Sequence, residues 1–147
     1  MSSDTEYVPS PSSHVADMVE QIEQAGTTSV VEWGKGVVLL TMVGAKSGKI
    51  RKVPLMRVEH DGVYAVVASL GGAPKHPVWY YNLKAEPKLQ LMDGAVTGDF
   101  VARELAVGGE ERELWWARCV EAWPDYAEYA TKTDRVMPIF VLEPVGH

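Results

Sequence analysis

The sequence predicts a mainly β fold: about six antiparallel strands closing on themselves, with helices on the outside (α+β). Asp61-Gly62 and Asp93-Gly94 each separate two runs of strand-forming residues. Asp-Gly in that setting signals a two-residue hairpin, because both turn positions must tolerate positive φ. Tight hairpins force antiparallel pairing, which argues against a doubly wound parallel sheet. Helical patterns stand beside and between the hairpins instead of alternating with every strand, so the helices belong at the periphery.

Taken in order, residues 1–13 place Ser3, Pro9 and Pro11 among polar neighbours and read as a flexible arm. Residues 14–147 are expected to form one domain. Val15, Met18, Val19 and Ile22 recur at helical spacing with Asp17, Glu20 and Glu23 opposite; Ser13 can cap this helix and Gly26 can end it. Thr27 to Gly36 is ambiguous. Val37 to Val43 is a run of β-formers between glycines, hence a buried strand. Lys52 to His60 alternates, and after Asp61-Gly62 the run Val63 to Ala68 completes the first hairpin. Pro54 cannot donate to a ladder, which places it at an edge or a non-bonded position. Pro77 to Ala85 reads as a helix stopped by Pro87. Lys88 to Met92 and Ala95 to Ala106 flank the second Asp-Gly. Glu110 to Trp123 is helical, with Leu114, Trp115, Cys119 (or Arg118) and Ala122 on one face. Pro124 opens a short helix to about Lys132, and Arg135 to Glu143 closes the chain as a strand.

Composition narrows the function. A chain of 147 residues, 46% apolar and 23% charged, is an ordinary globular domain, which excludes disordered and collagen-like chains. The single Cys119 can form no internal disulfide and supplies no zinc pattern, so a reducing cytoplasm is expected. The first residues lack the basic and apolar regions of a secretory signal. The longest apolar run, Val37 to Val43, is far short of a membrane span. A formal net charge of -6 argues against nucleic-acid binding, because backbone phosphates would be repelled.

Against that acidity, Lys46, Lys49, Arg51, Lys52 and Arg57 fall within twelve positions uninterrupted by Asp or Glu. Two explanations fit such a cluster: a solvated hairpin loop, or a seat for a small anion. Gly44 to Lys49 is not a nucleotide-hydrolysing P-loop: it is one residue short, Ile50 stands where a magnesium-ligating Ser or Thr belongs, and a strand follows. Its small residues and cations still suit an anion approached by backbone N–H groups. Gly34-Lys35-Gly36 is no dinucleotide fingerprint, since Leu39 takes the third glycine's place. Ser69-Leu70-Gly71-Gly72 ends a strand before a helix, where paired glycines allow close approach to a ligand or simply turn the chain. Ser69 lacks the glycines of a nucleophile elbow. The four histidines show no metal spacing, and no metal site is expected. Trp123, Tyr126 and Tyr129 recur every three residues, along one face of a helical turn. Such a stripe packs a core by default, while the polar tips of the tyrosines also suit them to wall a planar ligand and carry a proton.

Together these segments resemble the deazaflavin (coenzyme F420)-dependent nitroreductase family. The resemblance rests on Leu39-Leu40-Thr41 leading into Gly44-Ala45-Lys46-Ser47-Gly48, then Arg51-Lys52-Val53-Pro54-Leu55 and Val67-Ala68-Ser69-Leu70-Gly71-Gly72-Ala73. Further on, it includes Pro77-Val78-Trp79-Tyr80-Tyr81-Asn82-Leu83-Lys84-Ala85-Glu86-Pro87, Pro124-Asp125-Tyr126-Ala127-Glu128-Tyr129, Thr133-Asp134-Arg135 and Pro138-Ile139. What it implies is a split β-barrel, FMN-binding-barrel-like, that holds reduced F420 and passes a hydride to an electron-poor acceptor: a quinone, an activated enone or lactone, or a nitroaromatic. By motif position, Lys46, Ser47, Gly48, Arg51 and Lys52 would meet the cofactor's phosphate and tail. Val53, Pro54, Leu55 and Ala68 would line its ring, with Leu70, Gly71, Gly72 and Trp79 beside it, while Ser69, Tyr126 and Tyr129 would face the acceptor. Trp123 stands where a relative's substrate-side Tyr would be. An FMN-dependent split-barrel oxidoreductase, or a non-catalytic binder of a deazaflavin or lipophilic ligand, are the alternatives. A monomer is expected, with no partner beyond a small-molecule acceptor and with the N-terminal helix as a lid on the groove.

Overall fold

The structure is a computed structural model that describes residues 13–31, 36–69, 76–133 and 136–145. Helix α1 (Ser13–Ala25) leads into a 3-10 turn (Thr28–Val30) and strands β1 (Val37–Val43), β2 (Ile50–Met56), β3 (Glu59–His60) and β4 (Val63–Val67). Helix α2 (Val78–Ala85) precedes β5 (Lys88–Asp93) and β6 (Val96–Glu104). Helices α3 (Glu110–Ala122) and α4 (Asp125–Ala130) then precede β7 (Ile139–Pro144). All pairings are antiparallel, in the order β2-β1-β5-β6-β7-β4-β3.

Seven strands replace the six expected, because Lys52 to His60 is not one strand. Its first part, β2, pairs with β1 and its last part, β3, pairs with β4, so the two parts form opposite ends of the hydrogen-bond order. The change of partner falls on Arg57 and Val58. Arg57 donates its N–H to the Gly36 carbonyl at 3.0 Å, and the Val58 carbonyl accepts from the Ala65 N–H at 3.0 Å. Two residues cannot bridge the outer edges of a flat seven-stranded sheet. The sheet therefore curls into an antiparallel half-barrel, and β2 occupies the edge that Pro54 requires.

The turns follow their sequences with one shift. Asp61 and Gly62 both have positive φ (53° and 83°), as a two-residue primed turn demands. In the second hairpin Asp93 pairs with Val96, so the turn residues are Gly94 and Ala95, with only Gly94 at positive φ. That is the turn with Gly at the first central position, and it leaves the Asp93 side chain on the strand.

Strand alternation sends side chains to separate cores. Val38, Leu40 and Met42 of β1 join Val66, Leu91, Phe100, Phe140 and Leu142, closed over by Trp79 and Leu83 of α2. Ala65, Val67, Ile139 and Val141 face the other way, against Trp115 and Cys119 of α3 and Tyr126 of α4. Leu114, expected on the buried face of α3, is 54% exposed. Val37 and Leu39 pack under Val19 and Ile22 of α1.

One polar cluster ties the curl together. Arg57 Nε donates to both Asp93 oxygens, at 3.0 and 2.9 Å, and the Tyr64 hydroxyl donates to Asp93 Oδ2 at 2.6 Å. The Tyr64 ring packs edge-on to Phe100, with ring centres 5.5 Å apart. Burial and the Asp93 carboxylate push the Tyr64 phenol up to about 12. Asp93→Ala removes the shared acceptor. It should lower stability in urea unfolding towards the lower end of the roughly 1–3 kcal/mol that losing a charged hydrogen-bond partner costs, since the Arg57 side chain is 39% exposed. An unchanged urea midpoint would show that the cluster does not hold the edges.

Candidate active site

The basic segment forms the β1–β2 connection. Gly44 donates to the Lys49 carbonyl at 2.7 Å, Gly48 to the Gly44 carbonyl at 2.9 Å, and Lys49 N–H to Ser47 Oγ at 3.1 Å. A Cβ on Gly44 would lie 2.8 Å from Ser47 Oγ and 3.3 Å from Arg51 Cγ, so any larger residue there must displace the Ser47 hydroxyl that accepts from Lys49 N–H. The turn is fixed to α2 from outside: Ala45 N–H donates to Oδ1 of Asn82, a helical side chain only 5% exposed.

Beside this turn opens a cavity of about 460 Å³, within the range of small-molecule sites. One wall is β2, from Arg51 and Lys52 through Val53, Pro54 and Leu55 to Met56. At the rise of an extended strand, that wall runs about 16 Å from a cationic end to an apolar one. Helix α2 contributes Val78, Trp79 and Asn82, and the floor includes Met42, Val67 and Ser69. Trp123, Tyr126 and Tyr129 stand on a further side. His14, Val15 and Met18 of α1 complete the lining.

The expected site residues divide accordingly. Arg51, Lys52, Val53, Pro54, Leu55, Ser69, Trp79, Tyr126 and Tyr129 line the cavity. Lys46, Ser47 and Gly48 lie in the exposed turn at its basic end. Ala68 is fully buried and belongs to the core cluster behind Trp79, so its side chain supports the site from behind. Leu70, Gly71 and Gly72 lie outside the described residues. Of the five clustered cations, Arg57 belongs to the Asp93 cluster, and Lys52 Nζ is paired with Glu23 of α1. Among the described residues, no three His, Cys, Asp or Glu side chains converge on a metal position.

Sequence reasoning did not assign Asn82, Met42 or Val67 to the site; it expected α1 over the groove without naming the residues, His14, Val15 and Met18, that line it. Asn82 carried a signal: a poor helix former between Tyr81 and Leu83.

Electrostatics separates the tyrosines. Tyr126 is 6% exposed and packs edge-on to Tyr129, with ring centres 6.3 Å apart. Burial above all, with Cys119 and Tyr129 nearby, raises the Tyr126 phenol well above its ordinary range, so it stays protonated at neutral pH. Ser69 is 9% exposed, and its N–H bonds the Val67 carbonyl at 2.9 Å.

A wall that is cationic at one end and aromatic at the other suits a flat ring carrying an anionic tail. The family of F420H(2)-dependent quinone reductases matches residues 14–144 by its sequence profile. The chain belongs to this family. It is an oxidoreductase whose cofactor is F420, and its reaction is hydride transfer from reduced F420 to a quinone-type acceptor. It is 31% identical over 105 residues to the F420H(2)-dependent quinone reductase Rv1261c of Mycobacterium tuberculosis, covering 71% of this chain and 70% of that protein. A solved F420-H2 dependent reductase (FDR-A) is 60% identical over 73% of this chain and 93% of its own, with a TM-score of 0.68. A second solved chain, described as a domain-swapped dimer, is 54% identical over 91% of this chain and 100% of its own, with a TM-score of 0.72. That likeness gives the expected monomer no support. Among the described residues no helix is long and apolar enough to cross a membrane.

The buried phenol and thiol predict an alkaline weakness. Burial pushes the Cys119 thiol up from 9.0 to about 12 and raises Tyr126 as well. The folded chain thus keeps protons that the unfolded chain releases, and stability falls as pH rises through that window. Melting temperature should decline progressively above about pH 9, and Cys119→Ala should make the decline shallower. Profiles that superimpose would refute this assignment.

Proposed function

We propose that the β2-walled cavity is where F420 and its acceptor meet, with the cofactor's anionic tail at the Lys46–Lys52 end and its ring along Val53 to Leu55. The observation that carries this reading is the single strand that joins a cationic end to an apolar one. Arg51 and Lys46 attract the tail, and Asn82 steadies the turn that carries Lys46. Trp79 restrains the ring beside Val53 and Leu55, all of which share one core cluster. The curled sheet is then a split β-barrel of the FMN-binding-barrel type. The 54% identical relative makes a dimer our reading of the assembly, and the single cysteine makes a reducing cytoplasm our reading of the compartment.

On the acceptor side stand Ser69, Trp123, Tyr126 and Tyr129. A quinone that accepts a hydride becomes an oxyanion and needs a donor for its new charge. The Tyr126 hydroxyl cannot lose its proton easily, so it acts as a standing hydrogen-bond donor to that oxyanion. Tyr129, only half-buried, or water supplies the proton that completes the product. The apolar surroundings suit flat, electron-poor acceptors in general, so activated enones and nitroaromatics are expected to react as well, in proportion to how well they stack.

The two ends should separate in kinetics. Arg51→Ala and Lys46→Ala should each weaken F420 binding on the order of tenfold to a hundredfold, as expected for a lost charged hydrogen bond of roughly 1.5–3 kcal/mol. Turnover at saturating cofactor should change little. Tyr126→Phe should leave F420 affinity intact and lower kcat with a quinone by about the same factor. Fluorescence titration of F420 and steady-state assays decide it. Unaltered affinity in both cation variants would remove the seat from this end of the cavity.

A further inference from the structure

Helix α1 is attached to the barrel at one end and reaches the cavity at the other. Val19 and Ile22 are almost fully buried against Val37 and Leu39, which fixes the C-terminal half. Val15 and Met18 continue the same helical stripe one and two turns earlier, and with His14 they line the cavity. Glu23, in the last turn, pairs its carboxylate with Lys52 Nζ on β2. That last turn holds no basic residue. A carboxylate at a helix C-terminus faces the negative end of the helix dipole and is unfavourable there unless a cation offsets it. Lys52 is that cation, and it also sits at the cationic end of the cavity wall.

We propose that Glu23 is a positioning residue for the cofactor seat: its carboxylate competes with the anionic tail of F420 for Lys52, so that cofactor binding loosens α1 and re-forms the wall made by His14, Val15 and Met18. The proposal rests on the reading that this end of the cavity holds the tail. The tail draws Lys52 away from Glu23, which is then left at the negative pole of its helix beside a second anion. Repulsion loosens the last turn of α1 against β2, while Val19 and Ile22 keep the helix on the barrel. By reciprocity, whatever detaches Glu23 from Lys52 must strengthen cofactor binding by the same factor. The acceptor then meets a cavity whose α1 wall differs from that of the cofactor-free protein.

The test uses the full chain with oxidised F420, followed by fluorescence titration and, separately, by hydrogen exchange of α1. Glu23→Gln should bind F420 about two- to fivefold more tightly at low salt, the range expected for a partly exposed ion pair. High salt should close the gap. Lys52→Gln should weaken binding, and adding Glu23→Gln to it should change nothing further, because the two substitutions share one interaction. In the wild type, F420 should speed exchange at the C-terminal end of α1; in Glu23→Gln, which has no carboxylate to be repelled, F420 should change that exchange far less. Equal F420 affinity in Glu23→Gln and wild type, or additive effects in the double variant, would overturn the proposal while leaving the cofactor reading standing. A wild-type chain that binds no F420 would overturn both.

Discussion

Two residues, Arg57 and Val58, join the two outer strands of a seven-stranded order, and the rest of the architecture answers to that constraint. A link this short can be satisfied only if the sheet curls until its first and last strands are neighbours in space. The curl turns β2 so that Arg51 to Met56 wall a cavity. It also brings Tyr64, Arg57 and Asp93, from three separate parts of the order, within hydrogen-bond distance. The cluster sits where strands change partners and backbone bonding is thinnest. Side-chain bonds to a charged acceptor supply there what a continuous ladder supplies elsewhere.

The same constraint explains how an acidic chain presents a cationic site. Clustered positive charge repels itself, and the structure offsets part of it locally: Arg57 by Asp93 and Lys52 by Glu23. Other carboxylates are engaged with cations away from the cavity, as in Arg103 with Glu111 and Glu143, and Lys84 with Glu104. Net charge therefore says little about what the site attracts. The field at the cavity mouth depends on which carboxylates lie near it, and Glu23 is the one that the structure brings to Lys52.

Much of the fold was legible because the signals were local. Asp61-Gly62 specified its turn, the glycine-bounded run gave β1, and α3 followed from its apolar spacing. What failed depended on distant partners. Lys52 to His60 alternates without interruption, yet its pairing changes midway, since alternation reports only which face a residue takes and not which strand lies beside it. The second turn moved one residue because Asp93 is needed on the strand, where Arg57 and Tyr64 meet it. In the site, the β2 run could be read because it is contiguous. Met42 and Val67 could not, because a buried apolar position carries no sign of which cavity it borders, and Asn82 showed only that it suits a helix poorly, not what it holds.

The cavity lies where two of the molecule's cores meet, which bears on how such a site can change its acceptor. Val53, Leu55 and Trp79, on the proposed cofactor side, belong to the core closed by α2. Met56, Val67, Tyr126, Trp123 and Tyr129, on the proposed acceptor side, belong to the core closed by α3 and α4. Packing is tight within each core, so a substitution is felt first by neighbours in the same core. A change on α4 can thus reshape the acceptor wall while Val53 and Trp79 hold their positions. A Trp123→Tyr substitution just before α4 would be a change of this kind, exchanging an indole for a smaller phenol within that core alone. Burial in that core also keeps the Tyr126 phenol protonated, so the packing that shapes the acceptor wall sets its acidity as well.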